Sequence, residues 1–577
     1  MHTLLVQLPG RGADTDRNQE DPRVFLIRRA PAWAGLFLVL LAACSGSTDF
    51  ENAFTLDVRD GSAQKTLPRL ATDQKYFLLP FSAPSQALSG SATYTLSMEM
   101  QGTRSPSTAS STLVTPPAPT AAGLLTRRIA AETERNRLFD AQIRSAYELR
   151  RSDPARFERF FRRFALEPAV VHADLSTTLP LYSPFSGEEG QQITGLLRGN
   201  TQSVAIYVDS RDSDKVTDDQ VKALLAAYDT ITLPRIHALF GSESDIDNNG
   251  VVIVFLAAAS RLGEGQLGFF RPVDLLPDGT VGGSRSNEGE IIYSQIPSFG
   301  VSIPLVNATL AHETFHLVNF AQKSLPFFQA SVGHVLIQET LWLNEGQAHL
   351  AEEVTGWSSC TPHLVEIYLE CMSHTSVAGP GATTVTGNPD CNIAGPGDDS
   401  LARRGGTMLF LLYMFQQLGG AAYSDANAGD ISGAGVTFLR RLSSSAMAGV
   451  PNLEYASGRS FFSWYADFIS MVALDGTVQN FGSRFQLTPE AQDSFTQLTR
   501  NVRLRSTRQD ENGAPVVLHG PADIKTADLD SSSEVSGTLF SSGANAVLVS
   551  VPAFHDFTVR ISGDPSLAMG LAIVPAL

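Results

Sequence analysis

The sequence predicts an α+β protein in which a mixed sheet lobe joins a helical lobe, with small β domains at both ends. Three observations carry that expectation. Between about 203 and 296, apolar strand-like runs alternate with one long helical pattern. From about 406 to 474, three helical segments follow one another with no strand between them. Both ends show short strand-like pieces separated by turn residues. A length of 577 residues accommodates several domains, and the formal charge of −17 argues against nucleic acid or an anionic membrane surface as a general partner.

Residues 1–43 read as a targeting segment. Arg28 and Arg29 precede the apolar run 32–41, too short to span a membrane as a mature helix, and the run ends in Leu41-Ala42-Ala43-Cys44. This order resembles the lipobox of bacterial lipoproteins. The resemblance implies lipidation at Cys44 and, with Ser45 rather than an acidic residue next, an exported protein held at the outer membrane or cell surface. An ordinary signal peptide ending near a cysteine is the alternative. Residues 1–23 are long and polar for such a segment, which points to a translation start nearer Val24.

From 44 to 103, the runs 53–58, 76–81 and 93–100 alternate as half-buried strands do, predicting an N-terminal β domain. The Ser, Thr, Pro and Ala content of 104–123 predicts a linker. Residues 124–199 read as a helical connector or pro-segment, with seven arginines between Arg127 and Arg151 on a solvated helix surface and a second short helix opened by Pro154. Between 200 and 480 lies the mixed lobe. It shows strands at 203–209, 251–257 and 290–296, a helical stretch 217–240 broken before Pro234, and helices at 406–419, 434–444 and 459–474. Residues 481–577 predict a C-terminal β domain, with strands at 546–551, 557–562 and 569–574.

Asp245-Ile246-Asp247-Asn248-Asn249-Gly250 has the order of the first half of a calcium loop, which would put Ca2+ on Asp245, Asp247 and Asn249. Where such a loop ends in a bidentate glutamate this chain has Leu256, inside a strand, which favours an Asx-rich turn. Cys360, Cys371 and Cys391 lie close together; in an oxidising compartment two of them close a disulfide, and the spacing leaves the pair open.

The chemistry concentrates in 308–323, which contains His312-Glu313-Thr314-Phe315-His316. Four residues apart on a helix, the two imidazoles project from one face and can meet one metal ion, with Glu313 beside them as a base. Such a pattern also arises by chance, so a third ligand matters. The helical stretch 339–354 supplies Glu345, with His349 one turn later as the alternative.

Together, HETFHLVNF and ETLWLNEGQAHLAEE resemble the hyicolysin family of bacterial metallopeptidases, within the gluzincin group, over roughly residues 200–355. The resemblance implies a zincin-like core and a zinc-dependent endopeptidase acting on protein or peptide substrates. It implies His312, His316 and Glu345 as ligands of one catalytic Zn2+ and Glu313 as catalytic base. It also gives strand 290–296 the place of the cleft-edge strand that pairs with substrate. Zinc-bound histidines usually lean on a carboxylate, and Glu352 is the best placed, ahead of Glu353 and Glu339, with His349 on the same face. Tyr293, His334, His349 and Tyr413 are the candidates for stabilising an oxyanion. The rival expectation is a surface-anchored binding lipoprotein that keeps this fold without turnover.

Overall fold

Strands from the two ends of the chain pair with one another. In the computed structural model, which describes residues 53–84, 91–101, 122–166 and 175–576 apart from 264, 299, 331–333, 359–360, 374, 379–398, 478–482, 511–513, 523 and 530–531, β1 (Phe54–Asp57), β2 (Ser62–Leu67), β3 (Gln74–Ser82) and β4 (Ser91–Gln101) interleave with five C-terminal strands. One sheet has the order β1, Met569–Ala576, β3, Ala546–Val551, Ile524–Asp528; the other has Ser532–Phe540, β4, Asp556–Gly563, β2. Leu78 pairs with Ile573 on one side and Val547 on the other, and the alternate residues Tyr94, Leu96, Met98 and Met100 of β4 are buried. Period-two alternation reveals which face of a strand is buried but not which strand covers it. The two β domains expected at the ends are therefore one shared sandwich. Cys44, most of the expected linker, Cys360 and Cys391 lie outside the described residues; Cys371 is disulfide-bonded.

Next along the chain come α1 (Ala122–Ser152) and α2 (Pro154–Leu166). Their buried residues Ile143, Ala146 and Phe157 share one core with Ile206 and Val254 of the central sheet and with Leu310. That sheet contains β5 (Thr178–Tyr182), β6 (Gln192–Asn200), β7 (Val204–Asp209), β8 (Val252–Ala257), β9 (Gly268–Phe270) and β10 (Ile291–Gln295), in the order β5-β6-β7-β8-β10-β9. The expected connector 124–199 thus belongs to the mixed lobe: it supplies two strands and two helices packed on the lobe's core. β7, β8 and β10 run parallel, and their uniformly buried apolar runs are what a strand covered on both faces requires.

Strand β10 is interior, paired with β8 on one side and antiparallel β9 on the other. The edge strand on this side of the sheet is β9, not 290–296. Three residues with two phenylalanines make too short a run for the alternation pattern to register.

The stretch 217–240 forms α3 (Asp218–Ala227), a π turn at Tyr228–Thr232 and α4 (Leu233–Leu239), opened by a Thr217/Gln220 capping box. Pro234 stands in the first turn of α4, where its missing N–H costs least. After the short α5 (Ala259–Leu262) comes α6 (Ile303–Lys323), capped by Ser302 and with its flanks buried on both sides. The helical lobe follows with α7 (Leu325–Gln329), α8 (Leu341–Val354), α9 (Thr361–Cys371), α10 (Leu401–Gln417), α11 (Ala434–Ser444), α12 (Gly449–Ser457) and α13 (Phe461–Leu474). No described helix is long and apolar enough to cross a membrane.

Glycines set how closely three of these helices approach. A Cβ at Gly346 would lie 2.3 Å from Thr407 Cγ2, and one at Gly405 would lie 1.9 Å from Leu364 O. α8, α9 and α10 can meet at this spacing only without those side chains. The approach carries Arg404 of α10 to Glu345 of α8.

Candidate metal centre

Helix α6 presents His312 and His316 from one face, and α8 crosses it to bring in Glu345. His312 Nε2 lies 3.5 Å from Glu345 Oε2 and His316 Nε2 lies 3.6 Å from Glu345 Oε1. Donor atoms of the three all fall within 4.8 Å of one another. Two donors held about 2.0–2.2 Å from one tetrahedral ion stand about 3.3–3.5 Å apart, so this spacing is close to what a shared zinc ion needs.

A second grouping, His312, His349 and Glu352, also brings its donor atoms within 4.8 Å of one another. Its atoms are already joined. Glu352 Oε1 accepts from His312 Nδ1 at 2.8 Å and from His349 Nδ1 at 2.9 Å, leaving no space between them for an ion. Glu352 therefore orients His312 from behind, and His349 packs behind His312 with ring centroids 4.7 Å apart. His312, Glu313, His316 and Glu345 line a cavity of about 120 Å³; neither His349 nor Glu352 reaches it.

Charge in this buried cluster is compensated in part from within. Arg404, fully buried, pairs with Asp399 at 2.6 Å, Glu132 at 2.5 Å and Glu345 at 3.0 Å. Burial opposes ionisation of Glu345, but Arg404, His316 and His312 hold its carboxyl well below the usual range. Glu352 is likewise held low, by His349 and His312 against the effect of burial. Burial pushes His316 down to about 4, while at His312 the bonds to Glu345 and Glu352 overcome burial and raise it to about 10. Glu313 is pushed up to about 7 by burial, opposed by His312. Its Oε2 accepts from the backbone N–H of Phe270 at 2.8 Å, which ties it to the edge strand β9.

The other expected residues divide clearly. Glu339 bonds Lys323 and Asn452, and Glu353 faces Arg508 at 3.4 Å, so neither supports a histidine. Tyr293 Oη donates to Asp274 inside the sheet core, and Tyr413 Oη donates to Arg484 O. Neither these two nor His334 lines the cavity, and His349 sits behind it, so none of the four is placed to meet an oxyanion. Asn249 Oδ1 accepts from Val251 N and its amide donates to Asp247, so the carboxylate that joins Asp245 and Asp247 is Glu290.

Sequence reasoning missed two contributors. The first is Arg404, just ahead of an apolar run read as core. The second is α1, whose Arg135, Asn136, Phe139, Asp140 and Ile143 form one wall of the cavity. Asn136 Nδ2 donates to Glu345 Oε1 at 2.7 Å, and the Arg135 guanidinium stacks 3.6 Å from the Phe269 ring of β9. An Asn-Arg pair in a solvated-looking arginine pattern carries no signal of that role.

Over 147 residues the chain is 29% identical to a neutral metalloprotease, ShpI, of Staphylococcus hyicus. The match covers 24% of this chain and about a third, 32%, of the relative's length. No protein-family model matches. The likeness to a metalloprotease and the His/Glu groups able to hold a metal ion point the same way.

Proposed function

We propose that the chain is a zinc-dependent endopeptidase with His312, His316 and Glu345 as metal ligands and Glu313 as general base. The observation that carries this reading is the 3.5 and 3.6 Å spacing of two imidazole nitrogens from one carboxylate, in a cavity that Glu313 also lines. Two nitrogens and one oxygen suit zinc and leave a position for solvent. When bound, the ion would polarise a substrate carbonyl and acidify a water.

The remaining work falls to the chain's own groups. Glu313 is anchored through Oε2, which leaves Oε1 to take a proton from the attacking water and return it to the departing amine. Glu352 keeps His312 in the tautomer that points Nε2 at Glu345, and Arg404 fixes the Glu345 carboxylate. An extended peptide would lie along the free edge of β9.

Helix α1 lines the cavity beside that edge, with Arg135 and Phe139 against the Phe269 ring. A cavity of about 120 Å³ is far below the about 300–1,000 Å³ of ordinary ligand pockets, so a peptide enters only when α1 shifts. The lipobox-like run ending in Cys44 would tether the enzyme to a membrane after export.

Casein hydrolysis by the zinc-loaded chain, abolished by chelator and by Glu313→Gln, tests the reading. Stoichiometric zinc with no turnover on peptides after α1 is displaced would favour the binding lipoprotein instead.

A further inference from the structure

A second cluster of acids lies apart from the cavity, at the turn between α4 and β8. The turn itself is well explained. Asn249 N and Nδ2 donate to Asp247, Gly250 N donates to Asp245, and Asn248 and Gly250 take the positive φ values of 56° and 67° that such a turn needs. Those bonds do not explain why a third carboxylate joins from another strand. Glu290, immediately before β10, brings an oxygen within 4.8 Å of oxygens of both Asp245 and Asp247.

Asp247 and Glu290 are 1% and 2% exposed. Glu290 Oε1 accepts from Ser244 Oγ and Ile246 N, but its Oε2 is buried with no hydrogen-bond partner. No ion pair among the described residues involves any of the three, and the basic residue ending α4, His237, is taken by Glu243. Burial and the neighbouring carboxylate push Asp247 up to about 7. Buried carboxylates without a counter-charge either keep a proton or take a cation.

We propose that Asp245, Asp247 and Glu290 form a site for a calcium ion that clamps the turn 243–250 to the start of β10. An all-oxygen, anionic and irregular donor set suits Ca2+, which accepts additional carbonyls and waters, better than zinc or octahedral Mg2+. Glu290 O also accepts from Ile253 N, so the clamp reaches both β8 and β10, and through β10 the edge strand β9. The site shares no residue with the zinc proposal, and either can fail alone.

The test is calorimetric titration of CaCl2 into the full-length protein, stripped with chelator and reloaded with one equivalent of zinc. One calcium per chain is expected, with Kd of about 10⁻⁴ M or tighter. Glu290→Gln should abolish binding. Asp245→Asn, at an exposed position that leaves the fold intact, should weaken it about tenfold or more. Zinc content should stay unchanged in both. Absence of calcium binding to the wild type at about 10 mM, or an affinity unaltered by Asp245→Asn, would overturn the proposal.

Discussion

Two acid clusters of the chain are balanced in opposite ways. Around Glu345, the carboxylates of Glu132, Glu352 and Asp399 are met by Arg404 and by hydrogen bonds from His312 and His349, so each has a partner in the chain itself. Around Glu290, three carboxylates meet and no basic side chain among the described residues pairs with them. The first arrangement holds its metal-facing groups through the chain's own ion pairs and hydrogen bonds. The second gives a region whose stability depends on what the solution supplies, protons or a cation.

The largest effect separates chemistry from charge balance. Glu313→Gln should lower peptide hydrolysis by about 10³-fold or more while zinc stays stoichiometric, read by a peptidase assay beside metal analysis. Loss of zinc in that variant would mean that Glu313 belongs to the ligand set. Next, Glu345→Ala should lose zinc while His349→Ala mostly keeps it. Glu352→Gln and Arg404→Met should each weaken zinc by about 10–100-fold in a competition titration, since both act by orienting a ligand. Equal losses in all four variants would dissolve the distinction between ligands and supports.

A smaller effect probes the uncompensated cluster through pH. Asp247 has a folded value of about 7, above the about 3.9 of an unfolded chain. Its contribution is fully present below the unfolded value and is lost as pH rises through the folded one. In calcium-free buffer the thermal midpoint should fall by a few degrees between pH 5 and pH 8, and saturating calcium should flatten that slope. A slope that calcium leaves unchanged would assign it to other groups. The smallest effect concerns access. Phe139→Ala, which removes a ring packed on Phe269 of β9, should raise peptide hydrolysis a few-fold, and a reduced rate would make α1 part of the binding surface instead.

The sequence disclosed what is local and concealed what is long-range. His312, Glu313 and His316 are legible because one helical turn fixes their relation, and Glu345 because it lies on the next long helix with Glu352 and His349 at helical spacing. The strands 546–551 and 569–574 are placed within a residue or two by their alternation. Their pairing with β3 across more than four hundred residues is hidden, because a half-buried strand carries no mark of its partner. The edge strand is misplaced for the same reason. β9 is too short to read, and a Cβ at Gly268 would meet Thr309 Cγ2 at 2.6 Å and Tyr293 O at 2.9 Å, contacts that the sequence does not display. Arg404 and Asn136 reach the centre only through helix packing, which for Arg404 depends on Gly346 and Gly405.

Diffraction from crystals of the zinc-loaded protein at the zinc absorption edge tests the central claim most directly. The account predicts an anomalous peak bounded by His312 Nε2, His316 Nε2 and the Glu345 carboxylate, within reach of Glu313. A peak among His312, His349 and Glu352, or none in the cavity, would contradict it.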